Sequence, residues 1–191
     1  MTESVSVYLM KYHRGPDAEL KEAEFYLERA ELYRSAWSEF DTAILTGITD
    51  LLDLRFYLPV IDVTLAPMVP SFSTPLIINY RYSPDEFVDT LAHELIHVLL
   101  NDNKEQVDFG EFMKAHWPQE EPKTRIHVLV HAVLEHLYLN VLHEPERLSR
   151  DVSSQGQNIP YRRAWAIVEE ESSDNIVKDI REYVVIKRIS N

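Results

Sequence analysis

The amino-acid sequence predicts a mostly helical α+β fold with a small antiparallel sheet. Several long segments repeat apolar residues every three or four positions, as amphipathic helices do. Two short segments are rich in β-branched and aromatic residues, which is typical of strands. The composition of the 191 residues, 45% hydrophobic and 27% charged, is that of a globular chain. A chain of this length is expected to form a single domain over residues 1–191.

The predicted scaffold helix and the predicted sheet both lie before the middle of the chain. Residues 5–10 alternate apolar and small polar side chains, and they form either a short strand or the approach to a helix. Residues 18–48 carry apolar side chains at helical spacing and predict a long amphipathic scaffold helix that can break near Ser35. Residues 56–82 predict a hairpin. Its two strands are expected to pair antiparallel because one short connection joins them.

Helices dominate the rest of the predicted fold. Residues 83–100 open with a serine N-cap, a proline at the first helical position and a glutamate that completes a capping box, so they predict a helix with a sharp start. Residues 123–142 are strongly apolar and predict a second buried helix, and residues 104–122 hold a short amphipathic helix between the two. Residues 149–160 are polar and predict a loop. Two C-terminal helices are expected within residues 161–189.

An H-E-x-x-H pattern lies inside the first of the two buried helices. Residues four apart on a helix differ by about 40° around its axis, so the imidazoles of His93 and His97 share one face. Two neutral imidazoles on a rigid element form half of a tetrahedral zinc site. Glu94 lies beside them and can act as general base toward a water on the metal. Burying these polar groups without partners is costly, which favours a metal over hydrogen-bonded core histidines.

The second buried helix supplies candidates for the third metal ligand. His127, His131 and Glu135 follow one another at intervals of four residues and form a line along one face. His131 is the favoured ligand, because Glu135 one turn later can accept a hydrogen bond from its outer nitrogen and fix its tautomer. His127 then faces the open position, where it can hydrogen-bond a substrate oxygen. Glu135 and His127 are the alternative third ligands.

Composition narrows the chemistry and the partners. The chain has no cysteine, so a zinc ion must be bound by histidine and carboxylate rather than by thiolates. The net charge of −13 and the lack of a basic stripe argue against nucleic acid as a partner. No apolar run has the length of a membrane span and no secretory signal opens the chain, so a cytoplasmic protein without a membrane partner is expected. The sequence does not specify an oligomeric state.

The pattern at residues 93–97, preceded by a strand and followed by a second helix with candidate ligands, resembles the zincin metallopeptidases. The arrangement over residues 60–142 is most similar to the gluzincin-like branch and its small single-domain members, the minigluzincins. The resemblance implies a zincin-like core in which His93 and His97 bind Zn²⁺ and Glu94 is the general base. It also implies an edge strand that aligns a peptide or protein substrate.

The expected function is therefore zinc-dependent hydrolysis of peptide bonds. In this hypothesis His93, His97 and His131 hold the metal. Glu94 takes a proton from the metal's water and later delivers it to the leaving amine, and His127 assists at the substrate carbonyl. One alternative is a catalytically silent zinc-binding protein with a regulatory or partner-recognition role. Another is a helical protein whose histidines are hydrogen-bonded core residues.

Overall fold

Helices predominate in the computed structural model, which describes residues 4–9, 16–66, 71–154 and 158–190. The strands are β1 (Ser4–Leu9), β2 (Val60–Ala66), β3 (Phe72–Ser73) and β4 (Leu76–Asn79). The helices are α1 (Pro16–Ser38), α2 (Asp41–Leu52), α3 (Pro84–Asp102), α4 (Phe109–His116), α5 (Pro122–His136), α6 (Pro145–Ser154), α7 (Ile159–Glu171) and α8 (Ser173–Ser190), and a π-helical segment, Leu137–Val141, follows α5. A mostly helical α+β architecture is confirmed.

The sheet is mixed, with the strand order β1-β2-β4-β3. β2 pairs parallel with both β1 and β4, whereas β3 pairs antiparallel with β4. The predicted antiparallel pairing within residues 56–82 is therefore wrong for the two longer strands. The chain reverses once between β2 and β3 and again at the turn of residues 74–75, so β2 and β4 run in the same direction. Three of the four β4 residues are buried, as is usual for a strand inside a parallel pair.

The predicted scaffold helix over residues 18–48 is two helices rather than one. α1 ends at Ser38 and α2 begins at Asp41, with a turn between them. The Phe40 amide donates to the Trp37 carbonyl at 2.9 Å, which tightens the last turn of α1. The Asp41 carboxylate then accepts a hydrogen bond from the Thr42 amide at the start of α2. Local side-chain bonding of this kind is a common way to begin a helix.

Part of the loop predicted over residues 149–160 is helical, because α6 extends to Ser154. Its serine hydroxyls donate hydrogen bonds to backbone carbonyls of the same helix and so do not disrupt it. Ser149 Oγ donates to the Pro145 carbonyl at 3.2 Å, and Ser153 Oγ donates to the Ser149 carbonyl at 2.6 Å. Such bonds to the preceding turn satisfy the hydroxyls and are compatible with a helix. Residues 155–157 of the predicted loop lie outside the described residues.

The chain divides into two compact units, residues 1–42 with 58–95 and residues 43–57 with 96–191. That residues 1–191 act as a single domain stays a prediction. The last boundary, between residues 95 and 96, falls inside α3, the helix that carries the H-E-x-x-H pattern. Among the described residues, no helix combines the length and the apolar character that a membrane crossing requires.

In the first unit, α1 is joined to the segment that leads into α3. The fully buried Tyr33 ring of α1 stacks on Phe87 of α3, with centroids 4.1 Å apart and planes 4° apart. The Tyr33 hydroxyl lies 2.7 Å from the Tyr80 carbonyl oxygen and 2.6 Å from that of Tyr82. These contacts hold the N-terminal end of α3 against α1.

In the second unit, α5 is the central helix. Residues 127–134 are all buried, and both α7 and α8 pack against this helix. Since α5 has apolar side chains on nearly every side, it must be covered all round, which a surface helix does not require. The histidines at positions 127 and 131 therefore lie in the interior of this unit rather than on its surface.

Candidate metal centre

Helix α3 begins with the reciprocal capping that the sequence predicts. The Glu86 amide lies 3.3 Å from Ser83 Oγ, and the Ser83 amide donates to Glu86 Oε2 at 2.7 Å. Two N-terminal amides are thereby satisfied, so the helix has a defined start and a defined register. The capping-box prediction is confirmed. From this start, the next helical turns bring His93 and His97 onto one face.

The two histidines of α3 lie in a mostly buried part of the helix. His93 is 7% exposed, and Leu95 and Ile96, which lie between the two histidines, are fully buried. His97 is one turn further along and partly buried. Burial lowers the local dielectric constant, which strengthens any electrostatic interaction made at these rings.

Helix α5 presents a third imidazole to this face. His127 is 5% exposed, and its ring meets the His97 ring edge to face, with centroids 5.1 Å apart and planes at 70°. One ring nitrogen from each of His93, His97 and His127 can be chosen so that all three lie within 4.8 Å of one another. Three imidazole nitrogens this close together could hold a metal ion.

Comparisons with protein-family models, with curated proteins and with solved structures each give no match. The resemblance to zincin metallopeptidases is thus carried by the pattern at residues 93–97 and by the cluster of three histidines, and by no relative of the chain.

A backbone contact assigns the tautomer of His127. Its Nδ1 lies 2.7 Å from the Lys123 carbonyl oxygen one turn earlier, and a carbonyl can only accept, so Nδ1 carries the proton. The lone pair is then on Nε2, which is the arrangement that a metal-binding imidazole needs. The Tyr161 ring of α7 packs against the same imidazole, with centroids 3.8 Å apart and planes at 31°. His127 is held by both contacts.

Burial keeps the imidazoles of His97 and His127 neutral at pH 7. Burial, and to a lesser extent the charge of His127, lowers the pKa of His97 to about 4. Burial likewise lowers the pKa of His127 to about 4, although its hydrogen bond to the Lys123 carbonyl acts in the opposite direction. Only a neutral imidazole has a lone pair for a metal. At neutral pH a metal ion would therefore have no proton to displace from the ring nitrogen that binds it.

The pKa of Glu94 is shifted upward, in contrast to those of the two histidines. Its side chain is 9% exposed, and burial raises the pKa of this carboxyl to about 7. Near neutral pH the carboxyl can therefore be found in both its ionised and its protonated forms. A group that must accept a proton and later return it works best when its pKa is close to the working pH.

His131, the favoured third ligand from sequence, is placed differently from His127. It is fully buried and stacks on Trp165 of α7, with centroids 4.2 Å apart and planes 11° apart. Burial, together with the charges of His127 and His97, lowers its pKa well below the ordinary value. Among the described residues the three-histidine cluster includes His127 and does not include His131. The structure thus brings His127, one of the alternative third ligands, together with His93 and His97.

Glu135, predicted to orient His131 or to bind metal itself, has a different neighbour. Its Oε1 accepts a hydrogen bond from Ser173 Oγ at 2.7 Å. It also lines a cavity of about 750 Å³ together with Trp165. The sequence does not show these contacts, because the register of α5 against α7 and α8 depends on residues more than 30 positions away. The contacts of Tyr161 and Trp165 with the histidines are hidden for the same reason.

Proposed function

We propose that His93, His97 and His127 bind one zinc ion and that the protein is a zinc-dependent peptidase. The observation that carries this proposal is the cluster of three histidines beside a buried glutamate whose pKa is raised to about 7. Structural ion pairs also perturb pKa values, but here the perturbed groups converge on one place and have complementary chemistry.

Zinc suits the donor set better than the other common divalent ions. Three imidazole nitrogens and no thiolate form a site of intermediate softness, whereas Mg²⁺ and Ca²⁺ prefer oxygen ligands. Structural zinc sites are closed by four protein ligands, while catalytic sites have three and an open position. With His131 stacked on Trp165 rather than in the cluster, the donor set has the catalytic number of ligands.

The chemistry follows from the residues around this site. A zinc ion held by His93, His97 and His127 would lower the pKa of a bound water to near neutral. Glu94, which directly follows His93 on α3, would accept the proton of that water as it attacks a carbonyl carbon. The same carboxyl would then return the proton to the leaving amine. A carboxyl with a pKa of about 7 can perform both steps without a large energetic cost in either.

The substrate class is the part of the proposal that rests on the resemblance to zincins. Members of that group hydrolyse peptide bonds with an H-E-x-x-H helix, and the same pattern stands at residues 93–97 here. The site chemistry by itself supports metal-assisted hydrolysis, and a peptide or protein is the substrate that the resemblance implies.

Replacing the proposed base tests this function. Glu94→Gln keeps the size of the side chain but cannot accept a proton, so turnover of a mixed peptide library should fall by about 100-fold to 10,000-fold. Zinc content should stay at the wild-type level, because an amide of the same size leaves the three imidazoles undisturbed. Glu105→Gln, at an exposed carboxyl, is the matched control and should retain activity.

Two outcomes would contradict the proposal. Full turnover in Glu94→Gln would remove Glu94 from the reaction. Zinc-loaded wild-type protein that cleaves no member of the library would instead support a zinc-binding protein without peptidase activity.

A further inference from the structure

Helix α7 places two aromatic rings against two histidines of α5. Tyr161 and Trp165 are four residues apart on α7, as His127 and His131 are on α5. Tyr161 packs against His127 with ring centroids 3.8 Å apart, and Trp165 stacks on His131 at 4.2 Å. Trp165 thus lies face to face with His131, whereas Tyr161 packs on His127 and also meets the His131 ring edge to face, with centroids 5.5 Å apart.

We propose that this pairing decides which imidazole of α5 binds the metal. Tyr161 orients His127 as a ligand, and Trp165 holds His131 outside the coordination sphere. The proposal rests on the metal site proposed above and adds to it the reason why one coordination position stays open. Tyr161 and Trp165 act here as positioning residues, since each acts on the metal site through a histidine that it contacts.

The argument for Tyr161 concerns the freedom of the His127 ring. An imidazole can rotate about its bond to Cβ, and the hydrogen bond from Nδ1 to the Lys123 carbonyl restrains one edge of it. Tyr161 restrains its face, and the Lys123 ammonium lies 5.2 Å from the centroid of the Tyr161 ring. Restraint at an edge and at a face limits the rotation of the ring. Outer contacts of this kind orient ligands and raise metal affinity.

The argument for Trp165 concerns the place of His131. The two rings are nearly parallel, at 11°, and both are buried, with 0% exposure for His131 and 7% for Trp165. Turning His131 toward the metal would break this stack and leave a void in the interior, which is costly. The His131 ring nevertheless lies only 5.6 Å from that of His127. Without Trp165 it becomes a competitor for the position that a water needs.

The first test removes the contact at His127. Tyr161→Leu keeps an apolar side chain but loses the aromatic face, and the zinc dissociation constant measured by chelator competition should rise about 10-fold to 100-fold. Tyr161→Phe keeps the ring and should stay within about twofold of wild type, which separates the ring contact from any role of the hydroxyl. Equal zinc affinity in wild type and Tyr161→Leu would overturn this half of the proposal.

The second test releases His131. Cobalt(II) replaces zinc and reports its ligands through its visible absorption. Trp165→Leu should change the cobalt spectrum toward that of a site with four protein nitrogens. Adding His131→Gln to Trp165→Leu should restore the wild-type spectrum, because the competing imidazole is then gone. A Trp165→Leu spectrum identical to wild type would overturn the role given to Trp165.

A third measurement needs no variant of a buried tryptophan. In zinc-loaded wild-type protein labelled with ¹⁵N-histidine, the His127 nitrogens should show the shift of a metal-bound imidazole, and those of His131 should not. A metal-shifted His131 overturns the proposal even if Trp165→Leu does not fold. Wild-type protein that binds no zinc would overturn the proposed function together with this inference, whereas wild-type zinc binding with unresponsive variants would overturn this inference alone.

Discussion

Helices α3 and α5 each carry two buried or partly buried histidines four residues apart, yet the two pairs differ in how many of their members join the three-histidine cluster. On α3, both His93 and His97 belong to the three-histidine cluster, whereas on α5 only His127 does. The spacing is the same and predicts the same thing in both helices, namely two imidazoles on one face. Spacing alone is therefore not sufficient to identify a ligand pair.

What separates the two histidines on α5 is the helix packed against them. α7 supplies a tryptophan that stacks on His131 and a tyrosine that contacts His127, and the backbone of α5 bonds the Nδ1 of His127. The periodicity of α5 determines which residues share a face, and the neighbouring helix determines which ring contacts each of them makes. Each helix can be probed separately, through the pKa values of its buried groups and through the capping of its N-terminus.

The largest expected effect concerns Glu94. Burial raises the pKa of its carboxyl, whereas burial lowers the pKa values of His97 and His127. The pKa of Glu94 is raised to about 7 in the folded protein, so its contribution to stability is fully present below its ordinary pKa of 4.5 and is lost as the pH rises through 7. The pKa values of His97 and His127 are lowered to about 4, so their contribution is present above 6.5 and is lost as the pH falls through 4.

Glu94→Gln should therefore stabilise the metal-free protein at high pH. At pH 8 the free energy of unfolding is expected to rise by roughly 1–3 kcal/mol, because a buried carboxylate is replaced by a neutral group of the same shape. At pH 5 the gain should be smaller, since Glu94 is then protonated in the folded state. Denaturant unfolding in the presence of a chelator, at both pH values, measures the difference. An equal gain at pH 5 and pH 8 would show that ionisation of Glu94 is not its cause.

A smaller effect is expected at the two helix starts. α3 begins with a reciprocal side-chain cap at Ser83, but the N-cap of α5, Glu121, makes no side-chain hydrogen bond to its helix. Ser83→Ala should cost about 1 kcal/mol of unfolding free energy, and Glu121→Ala less than about 0.5 kcal/mol. Thermal unfolding of the two variants checks this order. A larger loss in Glu121→Ala would mean that α5 depends on its start more than its packing indicates.

Much of this fold can be predicted from the sequence where the determining interactions are local. Helix α3 is predictable because a capping box, a proline and an apolar period lie within one segment, and residues 83–100 correspond closely to the observed Pro84–Asp102. The H-E-x-x-H spacing likewise places two imidazoles on one face without reference to the rest of the chain. Both predictions depend on residues that lie within one or two helical turns of each other in the sequence.

The inferences that fail depend on contacts that the local pattern does not show. The parallel pairing of β2 with β4 requires knowing that β3 reverses the chain between them, and β3 has only two residues. The choice of His131 over His127 as metal ligand stays a prediction, and what decides it also lies outside the local pattern, in the register of α7 against α5. The loop prediction for residues 149–154 is wrong because the serines that suggest a loop bond instead to the preceding turn of α6.

Zinc content per chain, measured on wild type, His127→Ala and His131→Gln after dialysis against a weak chelator, tests the central claim most directly. A site formed by His93, His97 and His127 predicts stoichiometric zinc in wild type, loss of zinc in His127→Ala and retention in His131→Gln. Loss of zinc in His131→Gln with retention in His127→Ala, or a wild-type protein without zinc, would contradict it.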